Sequence, residues 1–181
     1  MTPPASLESF LNAAWSRLSR GVADPKSACN RPTLATTGPE MRTVVLRAAN
    51  RDAGTLDIHS HAQAGKITQI AADPAVALHV WDARANLQIR LRGRAELHIG
   101  TPLAKDVESR LPARTHEIYR ISQTPGAIIP SPEVTRFDGP PAFALIRVTL
   151  DQIELLHLDR SRHSRALFCR EDGWTGSWRA P

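Results

Sequence analysis

The stretch Met41-Arg42-Thr43-Val44-Val45-Leu46-Arg47 decides how this chain is read. It is a run of strand-forming residues bracketed by two arginines, an unusual way to begin a core. Strand alternation puts Thr43, Val45 and Arg47 on one face and Arg42, Val44 and Leu46 on the other, so each face ends in one guanidinium. Taken alone, the pattern is satisfied by snorkelling, with arginine stems covering apolar surface and their charges in water. The alternative is that both charges face an anionic, planar ligand, the target that a guanidinium fork fits best.

Working outward, the signals stay strand-like on the C-terminal side. Arg42–Ala48 is followed by a turn at Asn50-Arg51-Asp52-Ala53-Gly54 and by a strand over Thr55–Ser60. Ala62–Ala72 switches to helical spacing, with Ile67 and Ile70 on one face, and Asp73-Pro74 ends it. Val76–Trp81 is the next strand, Asp82–Asn86 a turn, and Leu87–Ile99 a long strand kinked at Gly93. Pro102–Leu111 and Arg114–Ile121 read as short helices. Ser122–Pro141 holds five prolines and reads as a structured loop or a flap over a site. Phe143–Thr149, Gln152–Leu158, Arg165–Arg170 and Trp174–Trp178 then read as closing strands. On the N-terminal side, Leu7, Phe10, Leu11, Ala14 and Leu18 repeat at helical spacing over residues 6–20, with Ser6 as cap and Glu8 in the first turn. Gly21–Pro39 is a Pro/Gly/Thr-rich connection without strong periodicity, with room for a short strand that the pattern does not place. Short antiparallel strands with one interposed helix predict a mainly β chain, a barrel with peripheral helices.

Length and composition bound the function. The 181 residues suit a single domain, and 41% hydrophobic with 23% charged residues is ordinary for a soluble globular protein. No apolar run approaches a membrane span, and the start lacks a secretory pattern, so a cytoplasmic protein without a membrane partner is expected. Two cysteines without motif spacing read as incidental thiols. The net charge of +5 comes mostly from scattered arginines, which suits a small anionic ligand at least as well as DNA. With four Phe and one Tyr the chain lacks a stacking platform, and nucleic-acid binding ranks last.

Candidate chemistry is sparse. His59 and His61 share a strand face with Asp57, yet no further ligands complete a metal site, and none is expected. Neither a nucleophile elbow nor a Gly-rich phosphate loop is present. If the chain is an enzyme, a bound cofactor supplies the hard chemistry. Arg90, Arg92 and Arg94 read as the charged outer face of a strand. Gln88 presents a donor and an acceptor together, matching the edge of a heterocycle. Asp159–Arg165 forms a second basic cluster.

In their order and spacing, these pieces resemble the pyridoxamine 5'-phosphate oxidase-like family of FMN-binding split-barrel flavoproteins. The resemblance runs from about Arg42 to Pro181. It is carried by Arg42–Arg47, Leu56-Asp57-Ile58-His59-Ser60, Lys66, Asp73–Leu78, Gln88–Ala95, His163–Arg170 and the final Trp174–Pro181. It implies an antiparallel Greek-key split β-barrel over about residues 41–178, and a homodimer with FMN in a groove between subunits. It also implies that Arg42, Thr43, Val44, Val45 and Arg47 lie along the flavin, with Arg47 where the oxidases usually carry lysine. His59 and Ser60 would line the cofactor, Lys66 would meet the phosphate, and Gln88 and Arg165 would approach the ring. His163 falls on the substrate side.

The departures are as informative. Where the oxidases have Ser-Arg-Lys at the phosphate, this chain has Ala64-Gly65-Lys66. Where they have Arg-x-His-x-Arg, it has Ser161-Arg162-His163-Ser164-Arg165, without the first arginine. The resemblance therefore implies an FMN-dependent oxidoreductase with an unidentified small-molecule substrate, and points away from pyridoxamine phosphate. A non-catalytic flavin- or haem-binding carrier or sensor is the alternative.

Overall fold

The computed structural model describes residues 4–181. Helix α1 (Leu7–Ala23) buries Phe10, Leu11, Ala14, Trp15 and Leu18, and starts at a capping box in which Ser6 and Ser9 satisfy each other's backbone N–H. Nine strands follow: β1 (Thr33–Thr36), β2 (Glu40–Thr43), β3 (Leu46–Asn50), β4 (Thr55–His61), β5 (Ala75–Asp82), β6 (Leu87–His98), β7 (Phe143–His157), β8 (Ser164–Cys169) and β9 (Ser177–Arg179). Helix α2 (Gly65–Ala72) separates β4 from β5, and α3 (Pro102–Ser109) and α4 (Ala113–Glu117) separate β6 from β7. All the pairings are antiparallel, and the main path runs β2-β1-β5-β6-β7-β4-β3. The result is a mainly antiparallel sheet curled into a half-barrel, as the sequence predicts.

Four expectations need correction. The opening strand is not continuous: it breaks at Val44 and Val45 into β2 and β3. Its in–out alternation survives, with Val44 and Leu46 buried and Thr43 and Arg47 exposed, because extended backbone keeps the two-residue period through the break. Phe143–Thr149 and Gln152–Leu158 fuse into the single strand β7, since β6 pairs along its whole length. Part of the supposed connection, Thr33–Thr36, is a strand inserted between β2 and β5. The last expected strand shrinks to Ser177–Arg179, because Trp174 and Gly176 adopt positive φ.

Strands β2 and β3 stand at opposite ends of the sheet path, yet only Val44 and Val45 join them. Two residues span less than about 10 Å between flanking strand ends, so the two edges of the sheet must approach each other there. The Val44 N–H donates to Pro32 O at 3.0 Å, which carries the β1–β2 pairing one residue into this seam.

Strand β7 organises the opposite side. Its first half pairs with β4 and its second half with β8, the exchange falling at Leu150 and Asp151. On its other edge the ladder with β6 shifts register between Arg92 and Gly93, and a Cβ at Gly93 would lie 2.1 Å from Thr149 O. The kink expected at Gly93 is therefore a β-bulge that only glycine fits. Arg170 closes the gap between β4 and β8. Its Nε donates to Leu150 O at 2.6 Å and its Nη2 to Ala53 O and Gly54 O at 3.0 Å each, with Trp174 beneath the guanidinium.

Candidate functional site

The residues flanking the seam line a cavity of about 320 Å³. Thr43, Val44, Val45 and Arg47 come from the break between β2 and β3, His59, Ser60 and His61 from the end of β4, and Ala64 and Lys66 from the start of α2. Ile118, Tyr119 and Pro125 close the wall from the segment after α4. The cavity thus gathers seven of the residues expected to hold a cofactor: Thr43, Val44, Val45, Arg47, His59, Ser60 and Lys66. Pro125 belongs to the proline-rich loop, whose internal hydrogen bonds (Ser122 N–H to Arg136 O, Gln123 Nε2 to Val134 O) make it a structured flap.

Charge in the cavity is positive. Lys66 Nζ donates to Ser60 Oγ at 3.1 Å, and burial followed by the nearby Arg42 charge pulls its pKa below the usual lysine range. Arg42 itself does not line the cavity. Its guanidinium is held by Thr36 Oγ1 at 2.6 Å and Gln69 Oε1 at 2.7 Å, with Glu40 at 3.7 Å, so it acts on the site through its charge and as a brace between β1, β2 and α2. Arg47 is exposed and lies beside the Tyr119 hydroxyl, whose pKa burial raises against Arg47's opposing effect.

The two histidines are held neutral. Burial and then Arg47's charge push His59 down to about 4, against the pull of Asp57. Burial and then Lys66 lower His61. Asp57 is not available to complete a metal site. Arg147, directly opposite on β7, takes both carboxylate oxygens at 2.8 and 2.7 Å. His59 packs edge-on against Phe143 at 5.0 Å, and Phe143 against Tyr119 at 5.2 Å, an aromatic chain that fixes the wall. His59 Nδ1 and His61 Nε2 are buried without a hydrogen-bond partner among the described residues. Two such unpaired nitrogens in one cavity, beside a desolvated ammonium, offer hydrogen-bonding capacity that a polar ligand can use.

Gln88, His163 and Arg165 lie elsewhere. Gln88 is opposite Leu156, which is opposite Arg165, whereas His59 is opposite Leu145. Eleven residues of β7 separate the two levels, roughly 36 Å of strand. His163 and Arg165 line a second cavity of about 320 Å³ with Arg162, Trp178 and Arg179. Arg165 is neutralised there by Glu154, which accepts from its Nη2 at 2.7 Å and also from Arg90 at 3.1 Å. One copy of the chain therefore holds the expected site residues in two separate places. A larger groove of about 480 Å³, over Ala35, Ala77, Arg92 and Gln152, lies on the outer sheet face away from both.

Sequence reasoning missed Tyr119, Ile118 and Pro125, which reach the cavity only through tertiary structure. It considered His61 only as a metal ligand. That Tyr119 is the single tyrosine was the one available signal.

Residues 12–99 match the family profile described as pyridoxamine 5'-phosphate oxidase, FMN-binding domain, a span that contains every cavity residue from Thr43 to Lys66 and also Gln88. Among solved structures, a pyridoxamine 5'-phosphate oxidase-related, FMN-binding protein from Nostoc punctiforme is similar over 95% of this chain and 97% of its own, with a TM-score of 0.77 and 20% identity. PhzG from Burkholderia lata, solved with tetrahydrophenazine-1-carboxylic acid, is similar over 99% of this chain and 95% of its own, with a TM-score of 0.70 and 16% identity. A protein from Clostridium acetobutylicum related to general stress protein 26 reaches a TM-score of 0.57 at 11% identity, over 91% and 97%. At these identities the likeness is one of fold. No curated protein matches the chain.

Proposed function

We propose that the chain, whose residues 12–99 match the FMN-binding-domain profile of the pyridoxamine 5'-phosphate oxidase family, is a dimeric, FMN-dependent oxidoreductase acting on a small anionic substrate. The observation that carries this reading is the seam cavity, where a desolvated lysine, a permanent guanidinium and two orphaned imidazole nitrogens converge on one space. Lys66 and Ser60 would hold the cofactor's phosphate, the former as a point charge. Thr43, Val44 and Val45 would lie along the ring, with Arg47 at its edge. When bound, FMN supplies hydride and electron transfer. Arg47 places a fixed positive charge where negative charge on the ring is favoured, and neutral His59 adds none.

The separation of the two groups of residues supports the dimer. Gln88 and Arg165 lie roughly 36 Å of strand from His59, so on this reading a second copy would bring them to the same flavin. The cavity at Arg162, His163 and Arg179 is basic, which favours an anionic substrate. It lacks the first arginine of the oxidase pattern, which argues against pyridoxamine phosphate.

Purified protein should be yellow and release FMN on heating. Lys66→Ala and Arg47→Ala should each weaken FMN binding by roughly 1.5–3 kcal/mol. Protein that takes up no added FMN sinks the reading. Mixed dimers of co-expressed Lys66→Ala and Arg165→Ala chains should recover tight binding at one of their two sites, about one site in four of the whole population. No recovery removes the dimer. Tight FMN binding with no turnover of any donor or acceptor would make the chain a flavin carrier.

A further inference from the structure

We propose that His61 is a phosphate-binding residue, donating from Nε2 to the cofactor's phosphate beside the open N-terminus of α2, in place of the hydroxyl and guanidinium that related oxidases use there. This rests on the FMN reading above and identifies how this chain completes that site.

Three observations converge. First, the tautomer of His61 is determined by its surroundings. Its Nδ1 accepts the Gln63 N–H at 3.1 Å, so the neutral ring carries its proton on Nε2. Second, that Nε2 is buried and has no hydrogen-bond partner among the described residues, while the side chain as a whole is 8% exposed and lines the cavity. A donor in that state lacks an acceptor, and the residue that carries it borders the cavity.

Third, the neighbouring backbone offers the same chemistry. Ala64, the residue before α2, makes no side-chain cap, so the first N–H groups of the helix, at Gly65 and Lys66, are left for an outside acceptor. The Ile67 N–H is already spent on Ala64 O at 2.8 Å. A Cβ built on Gly65 would meet nothing within 4 Å, so the space that a side chain would fill is open. Lys66 Nζ sits 3.1 Å from Ser60 Oγ, whose own proton goes to His61 O at 3.2 Å, and the Lys66 charge acts on His61, which places ammonium and imidazole at one end of the cavity. One dianionic phosphate is the ligand that uses all of these donors together. Neutral side-chain amides or a bare isoalloxazine edge would leave the helix end unmatched.

The test compares FMN with riboflavin, which differ only in the phosphate. Dissociation constants are read from flavin fluorescence for wild type, His61→Phe and His61→Gln. His61→Phe should weaken FMN about 10–100-fold and leave riboflavin unchanged, and His61→Gln, which keeps a donor near Nε2, should recover most of the loss. An equal loss for both flavins, or no loss for either, overturns the proposal. Lys66→Ala separates this from the underlying reading. If it too leaves FMN binding intact, the phosphate is not in this cavity at all. Should His61→Phe not fold, ¹⁵N-histidine NMR of the wild type decides. The His61 Nε2–H signal should become protected on adding FMN and not on adding riboflavin, and an identical response to both refutes the assignment.

Discussion

Arg170→Met tests whether the fold depends on the joint where β7 changes partners. The guanidinium serves three carbonyls across the gap between β4 and β8, and methionine keeps the apolar stem while deleting every donor. Their losses differ. Leu150 is fully buried, so its carbonyl loses a charged hydrogen bond without ready access to water. Such a bond is worth about 1.5–3 kcal/mol. Ala53 is exposed and its carbonyl can turn to water, and Gly54 O keeps the Leu150 N–H at 2.9 Å. Those two add about 0.5 kcal/mol each. The contact over Trp174, at 5.5 Å, adds a similar amount. The expected cost is about 3 kcal/mol, which for a chain of this length lowers the melting temperature by roughly 6–12 °C. Urea denaturation followed by tryptophan fluorescence measures it. Arg170→Lys keeps the charge but not the fork and should lie between the two. A Met variant within about 1 kcal/mol of wild type would refute the joint's importance, since even the Leu150 bond alone exceeds that.

Three further outcomes are expected. Gly93→Ala forces a Cβ against Thr149 O and should cost about 3 kcal/mol, read from the urea midpoint; a loss below 1 kcal/mol would mean the bulge is soft. His59, pushed down to about 4, contributes stability that is fully present above about pH 6.5 and is lost as pH falls toward 4. After discounting for the ring's partial exposure this is about 1–2 kcal/mol, and His59→Gln should flatten that limb of the stability profile; an unchanged limb contradicts the burial of the ring. Cys29 is buried, with its thiol pushed up to about 12, so a thiol reagent on the native protein should label Cys169 well ahead of it, as mass spectrometry would show; equal rates would mean α1 opens readily.

What was legible in the sequence follows the range of the interactions involved. Helix α1 was legible because its apolar period, Ser6 cap and first-turn Glu8 are all local. The strands β4, β5 and β6 were legible for the same reason, and Gly93 announced its own bulge. The break at Val44–Val45 was not, since both residues favour strand and nothing local interrupts them; it exists because Thr43 pairs with Thr33 while Leu46 pairs with Ile58. Fusion of two expected strands into β7 was hidden similarly, because Leu150 and Asp151 look like a turn until β6 pairs across them. In the site, Lys66, Ser60, His59 and Arg47 were expected only from the family resemblance, and the fold gathers them around one cavity. Arg42 was expected on the ligand and instead braces Thr36 and Gln69, a contact no spacing rule contains. Tyr119 arrives from far along the chain, and only the folded sheet brings it to Arg47.

The seam explains why the cavity sits where it does. In a ladder each strand satisfies its backbone groups with its neighbours, and a ligand finds only side chains. At Val44 and Val45 the ladders end on one side at Thr43 and resume on the other at Leu46, so main-chain groups and side chains are presented together over a short distance. The helix that follows β4 adds a second uncapped backbone end at Gly65 and Lys66, facing the same space. Closure of the sheet by a two-residue connection and creation of a polar, partly unsatisfied cavity are therefore one structural event. A substitution that made Arg42–Ala48 a continuous strand would remove the cavity, because its residues would be committed to a single pairing partner. The bracketing arginines then differ in ways that follow from the break: Arg42 holds the β2 side to β1 and α2, and Arg47, beyond the seam, meets Tyr119 at the cavity wall.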